Sequence, residues 1–163
     1  MRTDGSAEPP IAAALAESDA GAVISAIAAR GETALVIDPA RILAVCRRLK
    51  QEHGFQRLSG ITAVDRFPAE PRFEVIYQLH SIERNQRLRC KCLLPGANPV
   101  IGSVTSVWRC ADWYEREVFD LFGVRFTGHP NLKRILMPDD WEGHPLRKDF
   151  PVHGHKYSYG EEE

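Results

Sequence analysis

Four side chains near the end of the chain, His129, Asp139, Asp140 and His144, have the donor chemistry of a metal site, because imidazole and carboxylate ligands suit zinc or iron. If they met around an ion, the chain would be a free-standing metal-dependent hydrolase. A second reading assigns them to turns. His129 and His144 each precede a proline, Gly143 stands between Glu142 and His144, and polar groups in such positions commonly hydrogen-bond the backbone to fix a loop. The turn reading is the stronger, since short motifs match by chance. Upstream, Glu115, Arg116, Glu117 and Asp120 offer carboxylates for acid and base chemistry, but no nucleophile or metal set stands beside them. By spacing alone they read as a solvated helix face with internal ion pairs. Cys90 and Cys92 share one strand face without a second close pair, which favours buried reduced thiols acting as small hydrophobes. A Gly-rich phosphate loop, a G-x-G-x-x-G after a strand and a spaced cysteine set for an iron-sulfur cluster are all missing from the sequence.

The elements that must position these groups read as follows. Pro9 and Pro10 start a helix over Ile11 to Glu17. Apolar runs at Ala22 to Ala28 and Thr33 to Ile37 flank Arg30-Gly31-Glu32, which predicts a hairpin. Asp38 is expected to cap a second helix with Pro39 in its first turn, an apolar face of Ile42, Leu43, Cys46 and Leu49, and a stop at Gly54. Phe55 to Val64 predicts a strand in which Gly60 marks a bulge. Phe73, Val75, Tyr77 and Leu79 alternate with polar residues, and after the Ser81 to Gln86 turn Leu88, Cys90, Cys92 and Leu94 alternate with a basic stripe, Arg87, Arg89 and Lys91. Three charges on a strand are most often solvated or subunit-facing. The fold class expected is α+β: a two-layer sandwich of mostly antiparallel sheet with helices, followed by an irregular extended C-terminal arm.

The last helix carries the acidic group. Asp112 with Glu115 three residues on resembles a capping box, Tyr114, Val118, Leu121 and Phe122 can face the core, and Gly123 ends it near Phe122. Arg116 and Asp120, spaced i,i+4, are expected to pair. From Val124 onward neither helical nor strand periodicity holds. That arm carries Phe126, Leu132, Ile135, Leu136, Met137, Trp141, Leu146 and Phe150 among its charges, side chains that need a surface to bury them. Trp141 is the natural apolar anchor, while Arg116, Arg134 and Arg147 can form planar bidentate pairs with carboxylates. The organisation expected is a sheet domain over residues 1–110, a signature helix and subunit-docking arm over 111–151 that continues the same domain, and a mobile polar tail over 152–163 in which His153 and His155 are solvated.

At 163 residues the chain fits one domain, and its 44% hydrophobic and 26% charged residues are those of a globular protein. A net charge of -1 argues against a nucleic-acid binder. No apolar run reaches the roughly 20 residues that cross a bilayer, so membrane association is expected to be indirect. The first residues lack the order of a signal or transit peptide, and the default expectation is the cytoplasm.

The run Trp113-Tyr114-Glu115-Arg116-Glu117-Val118-Phe119-Asp120-Leu121-Phe122-Gly123 is followed by Gly128-His129-Pro130 and Arg134-Ile135-Leu136. It continues through Asp139-Asp140-Trp141-Glu142-Gly143-His144-Pro145-Leu146-Arg147-Lys148-Asp149-Phe150-Pro151. This closely resembles the hallmark of the thirty-kilodalton family, the C subunit, of proton-pumping NADH:quinone oxidoreductase, respiratory complex I. Ser59 to Asp65, Arg72 to Tyr77 and Ser103 to Trp108 also resemble that family. The resemblance implies a non-catalytic structural subunit of the peripheral arm, on the cytoplasmic side of a bacterial inner membrane. Its partners would be other complex I subunits, chiefly the D subunit near the quinone end of the electron path, and it has the form in which the C and D subunits are separate chains. The resemblance further implies that NADH, FMN, iron-sulfur clusters and quinone bind other subunits, and that this chain holds no cofactor, metal or catalytic residue. Glu115, Arg116, Glu117, Asp120, Gly123, His129, Pro130, Arg134, Trp141, Gly143, His144, Pro145, Arg147, Lys148, Asp149 and Pro151 would then belong to a subunit contact or buried local network. The equivalent subunit of a related membrane-bound hydrogenase, or of another quinone-reducing dehydrogenase, is the alternative within this class.

Overall fold

The structure, a computed structural model, describes residues 9–151, so the expected tail and its histidines lie outside it. Helix α1 (Pro10–Ser18) starts at its proline as expected and buries Ala12 and Leu15. Strands β1 (Val23–Ala29) and β2 (Glu32–Ile37) form the expected hairpin, turned by Arg30 and Gly31 at φ 54° and 78°. Two left-handed residues match the right-handed twist of the strands they join. Asp38 caps as expected, accepting from the Ala40 amide, but what it caps is a single 3-10 turn, Pro39–Arg41. Helix α2 (Ile42–Gln51) follows directly and buries Ile42, Val45, Cys46 and Leu49.

Strands β3 (Arg57–Asp65), β4 (Phe73–Ser81) and β5 (Gln86–Leu94) pair antiparallel in sequence, with a register shift between Leu58 and Gly60 where the bulge was expected. The sheet order is β1-β2-β5-β4-β3, and β2 runs parallel to β5, so the sheet is mixed although most of its pairings are antiparallel. Period-two alternation buries Phe73, Val75, Tyr77 and Leu79 with Leu88, Cys90, Cys92 and Leu94, and all three helices add their apolar stripes to that one core. Burial pushes the Cys90 thiol up to about 12, and Cys46 and Cys92 also well above their ordinary value. On the opposite face, Arg89 pairs with Glu32 and Lys91 with Glu74, which neutralises two thirds of the basic stripe.

The remaining elements mount the signature helix. Strand β6 (Val100–Gly102) pairs parallel with β7 (Arg125–Thr127), and α3 (Ala111–Phe122) is the crossover between them. A parallel pair needs such a crossover, so β7 anchors the chain where α3 ends. This short strand at the root of the arm corrects the expectation that strand structure ceases at Val124. It escaped notice because three residues are too few to show alternation.

Candidate functional site

Helix α3 turns three differently loaded stripes to three environments. Ala111, Glu115, Val118 and Phe122 face the core, Arg116 and Asp120 face the arm, and Glu117 faces solvent with Trp113. Spacing of three and four residues puts the members of each stripe one above another. The expected capping box is absent. The helix begins a residue earlier, after the turn at Trp108 to Cys110, and Glu115 points inward, where its carboxyl accepts from the Val104 amide at 2.7 Å. Burial raises the Glu115 carboxyl to about 7, against the lowering influence of the Val104 amide and the Ser103 hydroxyl. Beside it, His129 accepts from the Asn131 amide through Nδ1 at 3.0 Å, which leaves the proton on Nε2. That N–H lies 3.2 Å from the Asp112 carbonyl, 3.3 Å from the Asp112 carboxylate and 4.0 Å from Glu115.

The expected Arg116–Asp120 pair does not form, because each residue has better partners on the arm. The Asp120 carboxylate is fully buried and accepts from the backbone amides of Ile135, Leu136 and Met137 at 2.9, 2.8 and 2.9 Å, and from Arg134 Nη1 at 2.6 Å. Burial alone would raise its pKa, yet these donors outweigh it and hold the carboxyl below its usual range. Arg116 instead donates to the carbonyls of Lys133 at 3.2 Å and Arg134 at 2.9 Å, with its guanidinium over the Trp113 ring. Arg134 also reaches the carbonyls of Trp141 and Gly143, each at 2.9 Å. Of the three arginines expected to pair with carboxylates, only Arg134 does so.

The arm also completes the C-terminus of α3. Helix ends leave their last four carbonyls without intrahelical partners. Here Phe119 accepts from the Gly123 amide, Asp120 from His144 Nδ1 and Arg134, Leu121 from the Leu146 amide, and Phe122 from Arg147 Nε. Two guanidinium groups at the negative end of the helix dipole add to this. Gly123 is doubly required: φ is 75°, and a Cβ there would lie 2.5 Å from both Arg147 Nη2 and His144 Nε2. Burial depresses the His144 pKa, consistent with a neutral ring set edge-on to Phe119.

The end of the arm is fastened to the sheet. Asp149 forms a two-pronged pair with Arg72 at 2.7 and 2.8 Å, Arg72 forms a second with Asp65 at 2.7 and 2.9 Å, and the Lys148 amide donates to Asp65 at 2.8 Å. The guanidinium holds the Asp65 carboxyl well below the usual carboxylate range. Arg72 and Asp65 carried no role in the sequence reading, since the partner carboxylate is 77 residues away. Their one signal was position, an acid ending β3 and a base entering β4. Trp141 stacks on Phe150 at 6.5 Å within the arm, and Pro130, Pro145 and Pro151 punctuate its bends.

The four residues with metal-site chemistry are not brought together. His129 faces Asp112 and Glu115 while His144 faces the far end of α3, and no group of three or more His, Cys, Asp or Glu side chains suited to a metal occurs among the described residues. The polar groups act on backbone instead, which makes the constellation a clamp. What it leaves on the surface is apolar: Trp113, Leu136 and Leu146 are 60%, 61% and 52% exposed. Each sits one contact from α3, through Arg116, the Asp120 carboxylate and the Leu121 carbonyl respectively.

Residues 35–156 match the family described as "Respiratory-chain NADH dehydrogenase, 30 Kd subunit". The chain is 45% identical over 141 residues to the C subunit of NADH-quinone oxidoreductase from Geobacter sulfurreducens, covering 86% of this chain and 87% of that one. It is 46% identical over 145 residues to the second C subunit of the same enzyme from Rhizobium meliloti, covering 88% and 79%. Among solved structures, the trypsin-resistant fragment of Nqo5 superposes with a TM-score of 0.64 at 30% identity, over 74% of this chain and 97% of that one. A chain of the membrane-bound sulfane sulfur reductase, "an archaeal respiratory membrane complex", superposes with a TM-score of 0.71 at 27% identity, over 87% and 84%.

Proposed function

The chain belongs to the 30 kDa subunit family of respiratory-chain NADH dehydrogenase, the C subunit of NADH-quinone oxidoreductase, and on that premise we propose that it is a positional subunit that docks on the D subunit beside the quinone-reducing module. Its own residues supply no reacting group in this reading. They hold a neighbouring chain so that electron transfer from NADH to quinone, coupled to proton pumping, proceeds in fixed geometry. NADH, flavin, clusters and quinone are assigned to other subunits, and the location is the cytoplasmic side of a bacterial inner membrane. No helix among the described residues is long and apolar enough to cross a membrane, so attachment runs through the assembly.

The observation that carries this reading is the division of labour in the signature. Its charged residues are consumed inside the chain, locking the arm onto α3 and the sheet, while Trp113, Leu136 and Leu146 are left bare on the locked surface. A surface ordered before docking loses less entropy on binding. Large apolar side chains ringed by charge are the composition of interface centres.

Tagged chain recovered from its native membrane under mild detergent tests the reading. NADH-quinone oxidoreductase subunits, the D subunit foremost, are the expected companions. Recovery alone, or turnover of a substrate by the isolated chain, overturns it. The likeness to a chain of a sulfane sulfur reductase favours one further reading, the equivalent subunit of a complex with a different electron donor. Companions lacking the NADH-oxidising subunits would select that alternative.

A further inference from the structure

The parallel pairing of β2 with β5 has a side effect at one end of the sheet. Both strands start there, with Thr33 opposite Leu88, so the two hairpin turns that feed them lie side by side. The first turn carries Arg30 and the second Arg84, with Arg87 just inside β5. Together with His53 these side chains line an open cleft of about 700 Å³ whose apolar wall includes Phe55 and Leu88. Its one acidic lining residue, Glu32, is engaged by Arg89 at 3.1 Å. Arg30, Arg84 and Arg87 have no carboxylate partner within 4.0 Å among the described residues.

Arg30 also holds a left-handed backbone, φ 54°, a conformation that Asn, Asp or Gly adopts at lower cost. A turn position that geometry would give to Asn instead presents a guanidinium to the cleft. Three unneutralised guanidinium groups around a concave surface raise the local concentration of anions, and their planar donor pairs fit phosphate oxygens better than a lysine would.

We propose that this cleft is a binding site for a phosphate-bearing anion, with the three arginines holding the phosphate oxygens and the Phe55–Leu88 wall taking the carbon portion of the ligand. The same chemistry is met in a soluble phosphate ester and in an anionic phospholipid headgroup. The site is remote in role from the clamp, and its loss leaves the docking reading untouched.

The test uses the full chain and two probes, glycerol 3-phosphate followed by calorimetry and vesicles of phosphatidylglycerol in phosphatidylcholine followed by co-sedimentation. Each is run at low and at physiological salt on the wild type, on Arg84→Glu/Arg87→Glu and on Arg57→Glu, a charge reversal on a distant exposed strand end. Binding of at least one probe that weakens tenfold or more in the double variant, and not in Arg57→Glu, is the expected result. Saturable binding of glycerol 3-phosphate identifies a soluble phosphate ester, and binding to vesicles alone identifies the headgroup. Failure of both probes to bind, or equal weakening by Arg57→Glu, overturns the proposal. Arg30→Asn, which relieves the turn while removing the cation, keeps the test valid if the double variant folds poorly: it should bind more weakly without loss of thermal stability.

Discussion

Asp120 and Arg134 close on each other at 2.6 Å across the gap between α3 and the arm, and this contact organises everything the arm does next. The carboxylate gathers three consecutive amides of the arm, while the guanidinium reaches on to the carbonyls of Trp141 and Gly143. An acid and a base have been used to fold an irregular segment that has no ladder of its own.

Asp120→Asn keeps the shape and removes the charge that holds the amides of Ile135, Leu136 and Met137 and the Arg134 guanidinium. Breaking a buried, hydrogen-bonded pair in this way costs about 3–5 kcal/mol. The expected outcome is early proteolytic cleavage between residues 131 and 150 with the far-UV circular dichroism of the sheet retained. Unchanged protease resistance would mean that the arm is held by other contacts.

Gly123→Ala tests the joint from the backbone side. Its Cβ would sit 2.5 Å from Arg147 Nη2 and His144 Nε2 at a φ of 75°. Strain at such a position costs about 1–3 kcal/mol, so the midpoint of thermal unfolding should fall by several degrees. Arg147→Ala combined with it should recover part of the loss, since one of the two clashing groups is then gone.

Asp65 and Asp149 share Arg72 but differ in exposure, with side chains 2% and 44% exposed. Asp65→Ala strands a buried guanidinium and should cost about 3–5 kcal/mol in denaturant unfolding. Asp149→Ala removes a half-exposed partner and should cost about 1 kcal/mol or less. Because Arg72 holds the Asp65 carboxyl below its ordinary 3.8, that stabilisation is present at neutral pH and is lost as the pH falls below about 4.

Glu115 gives the opposite pH dependence. Its carboxyl rises from an ordinary 4.5 to about 7 in the folded chain, so between those values the folded state binds more protons than the unfolded state. Stability from this group is therefore full below about 4.5 and falls as the pH climbs through 7, by up to about 3 kcal/mol. His144, whose pKa is depressed, works against this slope below its ordinary 6.5, so the difference between wild type and Glu115→Gln is the quantity to measure. That difference should change between pH 5 and pH 8, and a flat difference would place the proton elsewhere.

Local pattern carried the sheet. The hairpin at Arg30-Gly31, the bulge at Gly60 and the alternation of β4 and β5 all follow from residues within a few positions of one another. The clamp was legible only as a set of residues. Helical spacing correctly put Arg116 and Asp120 on one face, but the face was already claimed by carbonyls and amides 15 to 18 residues downstream. The same holds for the capping box: Glu115 is spaced to cap, yet it falls in the apolar stripe of Ala111 and Val118 and is buried with them. Arg72 meeting Asp149 spans 77 residues and has no local trace.

If the clamp exists to present an apolar surface to the D subunit, that surface can be removed without touching the clamp. Trp113→Ser/Leu136→Ser/Leu146→Ser alters only residues that are 52–61% exposed, so the isolated chain should fold and unfold as the wild type does. Co-purification of the triple variant with the D subunit from native membranes is the direct measurement. A tenfold or greater loss of the D subunit with an unchanged melting temperature is the predicted result, and its full recovery by a folded triple variant would contradict the account.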